Sequence, residues 1–271
     1  MSLLDANLFP NPLPRLAVTN DDGYQSIGIR VLMELAQVHA RHVDVVAPES
    51  NQSGKGQSIS LYPFSIRDGD GTHGAGRHVY VVSGTPADCA RVALSRLVKE
   101  RPDCILSGIN AGWNFGQALY VSGTVGAARE AALKGVPAIA LSAPHDAPWE
   151  LMIMMVSRHL TKWLEIAMEQ PGIYLNINLP THNGREWVWT RPTRSVTWDM
   201  RTTATANGHM VEWLESFDVE DLDGSVPTDV GAIKRGYVSV SAMHAGDTWC
   251  GGESDIPTGR EFLAAMDASM G

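Results

Sequence analysis

Three short runs of side-chain oxygens interrupt an otherwise apolar N-terminal half: Thr19-Asn-Asp-Asp-Gly23, Pro48-Glu-Ser-Asn-Gln-Ser-Gly54 and Ser107-Gly-Ile-Asn-Ala-Gly112. None contains Cys or His. Carboxylates, hydroxyls and amides of this kind suit a hard divalent cation (Mg²⁺, Mn²⁺ or Ca²⁺) and not a zinc-type site built from nitrogen and sulfur. Asp21 and Asp22 are adjacent carboxylates whose charges repel, and a cation relieves that repulsion directly. Taken alone, Asp21-Asp22-Gly23 also reads as a helix cap and turn. With two further polar loops arriving at the same edge, the metal reading overtakes the cap reading, although one Asp can serve both. A fourth run, Val121-Ser-Gly-Thr-Val125, opens a helix. Backbone N–H groups at a helix start, with the Ser122 and Thr124 hydroxyls, form a natural phosphate cradle, whereas alone the run is an ordinary Ser/Thr cap. An ion and an anion cradle at one edge describe phosphate-ester hydrolysis.

Other signatures fail. Around Gly54-Lys55 a phosphate-binding P-loop would need Gly where Glu49 stands and Ser or Thr where Gly56 stands. No G-x-G-x-x-G follows the first strand, and neither G-x-S-x-G nor H-E-x-x-H occurs.

The elements that must position these runs follow from hydrophobic periodicity. Strand signals fall at 15–20, 42–48, 78–83, 104–107, 137–142 and 173–179, and helix signals at 27–40, 87–99, 125–134 and 149–169. Short Val/Ile/Leu strands alternating with helices of ten or more residues imply a parallel sheet covered on both faces. The expected fold is a doubly wound, Rossmann-like α/β core with a mostly parallel sheet. In such a sheet the carboxyl ends of the strands converge on one crevice, which would gather the three runs.

The pattern changes after residue 180. Glu186-Trp-Val-Trp-Thr190 alternates with period two, and 195–203 and 209–215 read as long strands joined by a turn at Ala206-Asn-Gly208. An arm this thin is unstable alone, so it should pack on a neighbour, another subunit included. The expected organisation is a single domain over 1–271, with an α/β core at 15–180, a β-arm at about 183–216 and a C-terminal segment at about 227–271 used with the arm for oligomerisation.

Composition bounds the partners. Twenty-one Lys and Arg against thirty Asp and Glu in 271 residues leave a net charge of −9, which argues against a basic groove for DNA or RNA. Three cysteines without C-x-x-C spacing point to a reducing compartment. The first fourteen residues lack the basic and apolar regions of a secretion signal, and the longest apolar run, at 151–156, is far too short to span a membrane. The expectation is a cytoplasmic protein that binds neither nucleic-acid polymer nor membrane.

Six blocks in order resemble the SurE family of survival proteins, metal-dependent 5′-nucleotidases: Val18-Thr-Asn-Asp-Asp-Gly23, Ala47-Pro48 with Ser53-Gly54, Gly84-Thr-Pro-Ala-Asp-Cys89, Ser107-Gly-Ile-Asn-Ala-Gly-Trp-Asn-Phe-Gly116, Ser122-Gly-Thr-Val125 and Asn176-Ile-Asn-Leu-Pro180. The likeness runs in register from about 15 to 180 and resumes weakly at Thr228-Asp229 and Gly236-Tyr-Val-Ser239. It implies a Rossmann-like core, one divalent ion per subunit and hydrolysis of nucleoside monophosphates to nucleoside and phosphate. Carried over position by position, the metal ligands fall on Asp21, Asp22, Ser53 and Asn110. The phosphate-contacting positions fall on Asn114, Ser122, Gly123 and Thr124. Either Asp21 or Asp22 would act as general base on the attacking water. The family also implies a dimer or tetramer that exchanges β-arms and C-terminal segments.

The chain departs from the family pattern in three places. Gln117-Ala-Leu-Tyr-Val121 lacks the usual acid and carries its Tyr one place early, Trp113 and Phe115 are bulkier than the pattern, and Ser241-Ala-Met-His244 replaces Thr-Pro-Leu. These changes bear on substrate more than on reaction type, and they leave room for a small phosphate ester other than a nucleotide, an aromatic one included. Two alternatives stand beside the leading reading: a non-catalytic nucleotide- or metabolite-binding protein, and a hydrolase of a different substrate on the same scaffold.

Overall fold

In a computed structural model the protein is described from residue 13 to 246, apart from residues 70–76, 96–97, 99, 147, 171, 183, 185, 194–195, 206–207 and 218–225. Its centre is a nine-stranded sheet. Six parallel strands form the middle: β1 (Leu13–Thr19), β2 (Ala40–Pro48), β4 (Arg77–Val82), β5 (Cys104–Ala111), β6 (Ala138–Ala143) and β7 (Ile173–Asn178). One edge adds β3 (Ile66–Asp68) antiparallel to β4. The other adds β11 (Val238–His244) antiparallel to β7, and then β8 (Trp187–Trp189) parallel to β11. The spatial order is β3-β4-β2-β1-β5-β6-β7-β11-β8. From β1 the chain winds outward through β2 and β4, then returns to β5 on the other side of β1. The order therefore reverses between β1 and β5, and a crevice opens at their carboxyl ends.

Alternation along the strands builds a core on each face. Leu16, Val18 and Leu106 point into a cluster closed by α1 (Ile27–Gln37) and α5 (Trp149–Glu169), through Leu32, Met152 and Trp163 among others. Ala17, Ile105 and Ala140 point the other way, against α2 (Pro86–Ala93) and α4 (Gly123–Leu133). That second layer is rich in alanine, which brings α2 and α4 close to the sheet. Beneath it the buried Arg15 guanidinium pairs with Asp44 of β2. No helix among the described residues is long and apolar enough to cross a membrane.

The expected doubly wound core is present, with local differences. Helix α2 stops at Ala93 instead of 99, where the Leu94 N–H closes back on the carbonyls of Ala90, Arg91 and Val92. Strand β5 runs on to Ala111, past the expected end at 107, with a register shift against β6 between Ser107 and Asn110. Strand β8, expected within the arm, lies instead in the main sheet. The arm itself is the hairpin β9 (Val196–Thr205) and β10 (Gly208–Phe217), paired in register from Val196–Phe217 to Thr205–Gly208. The expected turn residues Ala206 and Asn207, and the C-terminal segment beyond 246, lie outside the described residues.

Candidate active site

The cap reading of the carboxylate pair is answered by α1. Its N-cap is Ser26, whose hydroxyl accepts from the Ile29 N–H, and no acid stands in its first turn. Asn20, fully buried, donates to the Gly23 carbonyl at 2.9 Å and to the Ser26 hydroxyl at 2.8 Å, so the turn closes without either Asp. Neither Asp21 nor Asp22 is therefore needed as the cap of α1.

Asp21 is 3% exposed. Its Oδ1 accepts the Thr124 hydroxyl proton, and the Thr124 backbone amide also supports the carboxylate. Burial pushes the Asp21 carboxyl above the usual range and the neighbouring Asp22 charge adds to this, while the Thr124 hydrogen bonds oppose it. Asp22 is more open. Its Oδ2 accepts from the Ala111 N–H at 3.3 Å, which ties the end of β1 to the end of β5. Burial raises its carboxyl too, with that hydrogen bond and the charge of His145 working the other way.

The second polar run is laced to the first. The Gln52 N–H donates to the Asp21 carbonyl at 2.7 Å, and the Tyr24 N–H to the Pro48 carbonyl at 2.9 Å. Ser53 is exposed, its N–H held by Asn51 Oδ1 at 2.7 Å. Gly56 then donates to the Val121 carbonyl at 2.8 Å, which joins this loop to the short helix α3 (Ala118–Val121).

Asp21, Ser53, Gly54, Asn110, Asn114 and Ser122 line one cavity of about 200 Å³, which Trp113, Ala118 and Val121 also border. Five of the eight expected site residues thus share a wall, and Asp22 stands beside them on the Ala111 amide. Gly123 and Thr124 are placed differently. Thr124 is fully buried and turned to Asp21, and a Cβ on Gly123 would lie 2.7 Å from the Asp21 Cβ. The N-terminus of α4, expected to be open to phosphate, abuts the protein's own carboxylate, and Ser122 caps it by accepting from the Val125 N–H at 3.1 Å. A larger cavity of about 660 Å³ lies across α3, lined by Gln117, Tyr120, Arg129, Arg191 and His244 among others. It holds none of the carboxylates.

Sequence reasoning missed what holds Asn114. Its N–H donates to Asn178 Oδ1 at 2.9 Å, its Nδ2 to the Ser142 hydroxyl at 2.7 Å, and its carbonyl accepts from Asn176 and Asn178 at 3.0 and 3.1 Å. The signal was two asparagines spaced by two inside a buried apolar strand, where amides persist only if bonded. Asp229, at the start of α6 (Asp229–Lys234), was noted only as a place where the likeness resumes, and its role was missed. It accepts from the N–H groups of Val230, Thr193 and Gly116, at 2.8, 2.9 and 3.4 Å, and pins the far end of the Asn114 loop. Burial raises its carboxyl to about 6 against those three donors. The Gly84–Cys89 block proves to be architectural. Against burial, which alone would raise it, hydrogen bonds from Ser60 and Thr85 hold the Asp88 carboxyl below its ordinary value, and they fasten the second loop to α2.

Fold and site together define a class: a doubly wound α/β protein with a carboxylate–amide pocket at the switch point, closed by a helix N-terminus. Among known proteins, the sequence matches the family described as Survival protein SurE over residues 16–201. It is 38% identical over 234 residues to a 5′-nucleotidase SurE of Alkalilimnicola ehrlichii, covering 84% of this chain and 88% of that one. It is 36% identical over 247 residues to a 5′-nucleotidase SurE of Desulforamulus reducens, covering 85% and 92%. The crystal structure of the SurE protein from Aquifex aeolicus aligns with a TM-score of 0.71 at 29% identity, over 91% of this chain and all of the other. The chain belongs to the SurE family.

Proposed function

We propose that the protein is a divalent-metal-dependent phosphomonoesterase that hydrolyses nucleoside 5′-monophosphates to nucleoside and phosphate. The observation that carries the reading is a nearly buried carboxylate, Asp21, opening with Ser53, Asn110, Asn114 and Ser122 into one small cavity at the switch point. The 5′-nucleotidase names of the SurE relatives agree with it. Asp21, Asp22, Ser53 and Asn110 offer only oxygen donors of the kind a hard cation takes, and the raised carboxyls of the Asp pair are those a cation would return to the charged form. When bound, Mg²⁺ or Mn²⁺ would supply Lewis acidity toward a phosphoryl oxygen and water.

The chain's own part is positioning and charge. Asn114, locked by Asn176, Asn178 and Ser142, is a pre-organised wall for the phosphoryl group, so its placement needs no reorganisation during reaction. Ser122 borders the same space. Gly123 and Thr124 act through Asp21, fixing a carboxylate that would hold the ion. Either Asp21 or Asp22 can take the proton of the attacking water. Asp22, more open to solvent, can pass it outward.

We further read the chain as one cytoplasmic domain that assembles as a homodimer or tetramer through β9 and β10. Met200, Met210 and Val211 on that hairpin are half or more exposed, which is apolar surface suited to a partner. A panel of nucleotide and non-nucleotide monophosphates, assayed for phosphate release with Mg²⁺ or Mn²⁺ and again in EDTA, tests the activity. Release that persists through exhaustive chelation removes the metal, and no release from any ester leaves a binding protein or a hydrolase of a non-phosphate substrate. Light scattering before and after deletion of 194–217 tests the assembly, and a monomer at micromolar concentration refutes it.

A further inference from the structure

We propose that Trp113 is the platform on which the base of the substrate stacks, making this site selective for phosphate esters that carry a planar aromatic group over those of bare sugars. The inference rests on the phosphomonoesterase reading and extends it to the choice of substrate.

Trp113 borders the same cavity as Asp21, Ser53, Asn110, Asn114 and Ser122. It is partly exposed, unlike Trp163, which is wholly buried in the core. Its ring is fixed from two sides. The indole N–H donates to the Leu179 carbonyl at 2.8 Å. One face stacks on Phe115, with centroids 5.5 Å apart and planes inclined by 27°. Phe115 is in turn buried against Val230 and Ile233 of α6. With one face covered and the N–H satisfied, what the ring can offer the cavity is its other π-face.

Size makes that face useful. At about 200 Å³ the cavity is smaller than the roughly 300–1,000 Å³ of sites that enclose a whole drug-sized ligand. A phosphoryl group placed among the carboxylates and amides leaves the rest of a nucleotide to extend past the cavity's border, of which Trp113 is part. A fixed aromatic ring loses little entropy on binding, and stacking on it tolerates any base because each has a π-face. Base stacking on an aromatic side chain is worth about 1–3 kcal/mol, which is roughly 5- to 150-fold in kcat/KM.

The experiment compares wild type, Trp113→Leu and Trp113→Phe on adenosine 5′-monophosphate and ribose 5-phosphate, with Mg²⁺ or Mn²⁺ present. Trp113→Leu should lower kcat/KM on the nucleotide by roughly 5- to 150-fold and on the sugar phosphate by less than about twofold, and Trp113→Phe should keep most of the preference. An equal fall on both substrates, or no fall on the nucleotide, overturns the proposal. Should Trp113→Leu fail to fold, wild type alone decides: adenosine must inhibit hydrolysis of ribose 5-phosphate competitively at concentrations where ribose does not. Equal inhibition by the two overturns the stacking platform while leaving the phosphatase reading intact. A wild-type protein inactive on both esters overturns both readings together.

Discussion

Replacing Asp21 by Asn separates a ligand from a structural residue, because shape is nearly kept and one charge is lost. In the fold Asp21 is 3% exposed and accepts the Thr124 hydroxyl. Asn retains an oxygen that can accept that proton. The variant loses a charge-assisted bond, but it also escapes the burial cost and the repulsion from Asp22 that raise the Asp21 carboxyl. These effects oppose each other, so without metal the variant should melt within about 1 kcal/mol of wild type, or about 2–4 °C in a chain of this size.

With metal the two proteins should part. An ion at a hundred times its dissociation constant stabilises the folded state by about 2.7 kcal/mol, or about 5–10 °C. If removing one carboxylate weakens the ion a hundredfold, the same concentration leaves about 0.4 kcal/mol, close to 1 °C. The assay is a pair of melts, in EDTA and in excess Mn²⁺, for wild type, Asp21→Asn and Asp22→Asn, with phosphate release measured beside them. A variant that melts many degrees low in EDTA yet keeps the full Mn²⁺ shift would show that the pair is structural, and the proposed ion site would be wrong.

Thr124→Val removes the hydroxyl that serves Asp21; it should cost about 1–3 kcal/mol in a melt and lower phosphate release as well, and unchanged activity would mean that Thr124 does not set the carboxylate. Gly28→Ala puts a methyl 2.0 Å from the Ile109 carbonyl oxygen, so urea unfolding should show a loss of about 1–3 kcal/mol, and an unchanged midpoint would refute the close approach of α1 to β5. Asp229, with a folded pKa of about 6 against about 3.9 unfolded, binds more protons folded than unfolded between those values. Its stabilising contribution is therefore complete below about pH 4 and is lost as pH rises through about 6. Relative to wild type, Asp229→Asn should gain on the order of 2–3 kcal/mol between pH 4 and 7, and a flat difference across melts in that range would show that the carboxyl is not raised.

Much of the candidate site was legible because it is built at strand ends. Polar residues that directly follow apolar strands have one place to go in a doubly wound sheet, so the three runs could be brought together from the strand pattern, while Ser53 and Asn110 were picked out of them by the family resemblance. What escaped was set by distant packing. The alternation of Trp187–Trp189 reads alike at a sheet edge and in an arm, since a period of two does not name the partner strand. Helix α3, at four residues, is too short to carry a period. In β5, Ser107-Gly-Ile-Asn110 reads as loop chemistry, yet the chain keeps pairing with β6 after a register shift that also aims Asn110 into the cavity. Asp229 lies 113 residues from the Gly116 amide it accepts, a separation across which no local pattern speaks.

The convergence of the three loops is enforced by side chains that are missing. A Cβ on Gly28 in α1 would lie 2.0 Å from the Ile109 carbonyl oxygen in β5. One on Gly123, opening α4, would lie 2.7 Å from Asp21, after β1, and one on Gly126, a turn later, would lie 2.5 Å from the Gly56 carbonyl in the second loop. Each of the three polar runs, or the strand end that carries it, is therefore met by a helix at a glycine. Glycine inside a helix costs about 0.5–1 kcal/mol relative to alanine, a cost that falls on Gly126, while Gly28 and Gly123 stand in the first turns of α1 and α4. In return, two helices approach the crevice within backbone contact, and one of them brings Thr124 to a carboxylate that would otherwise be buried with fewer donors. Local helix propensity has yielded at Gly126 to the geometry of the site. Such conflict between local preference and global structure is expected where a fold has been shaped by function.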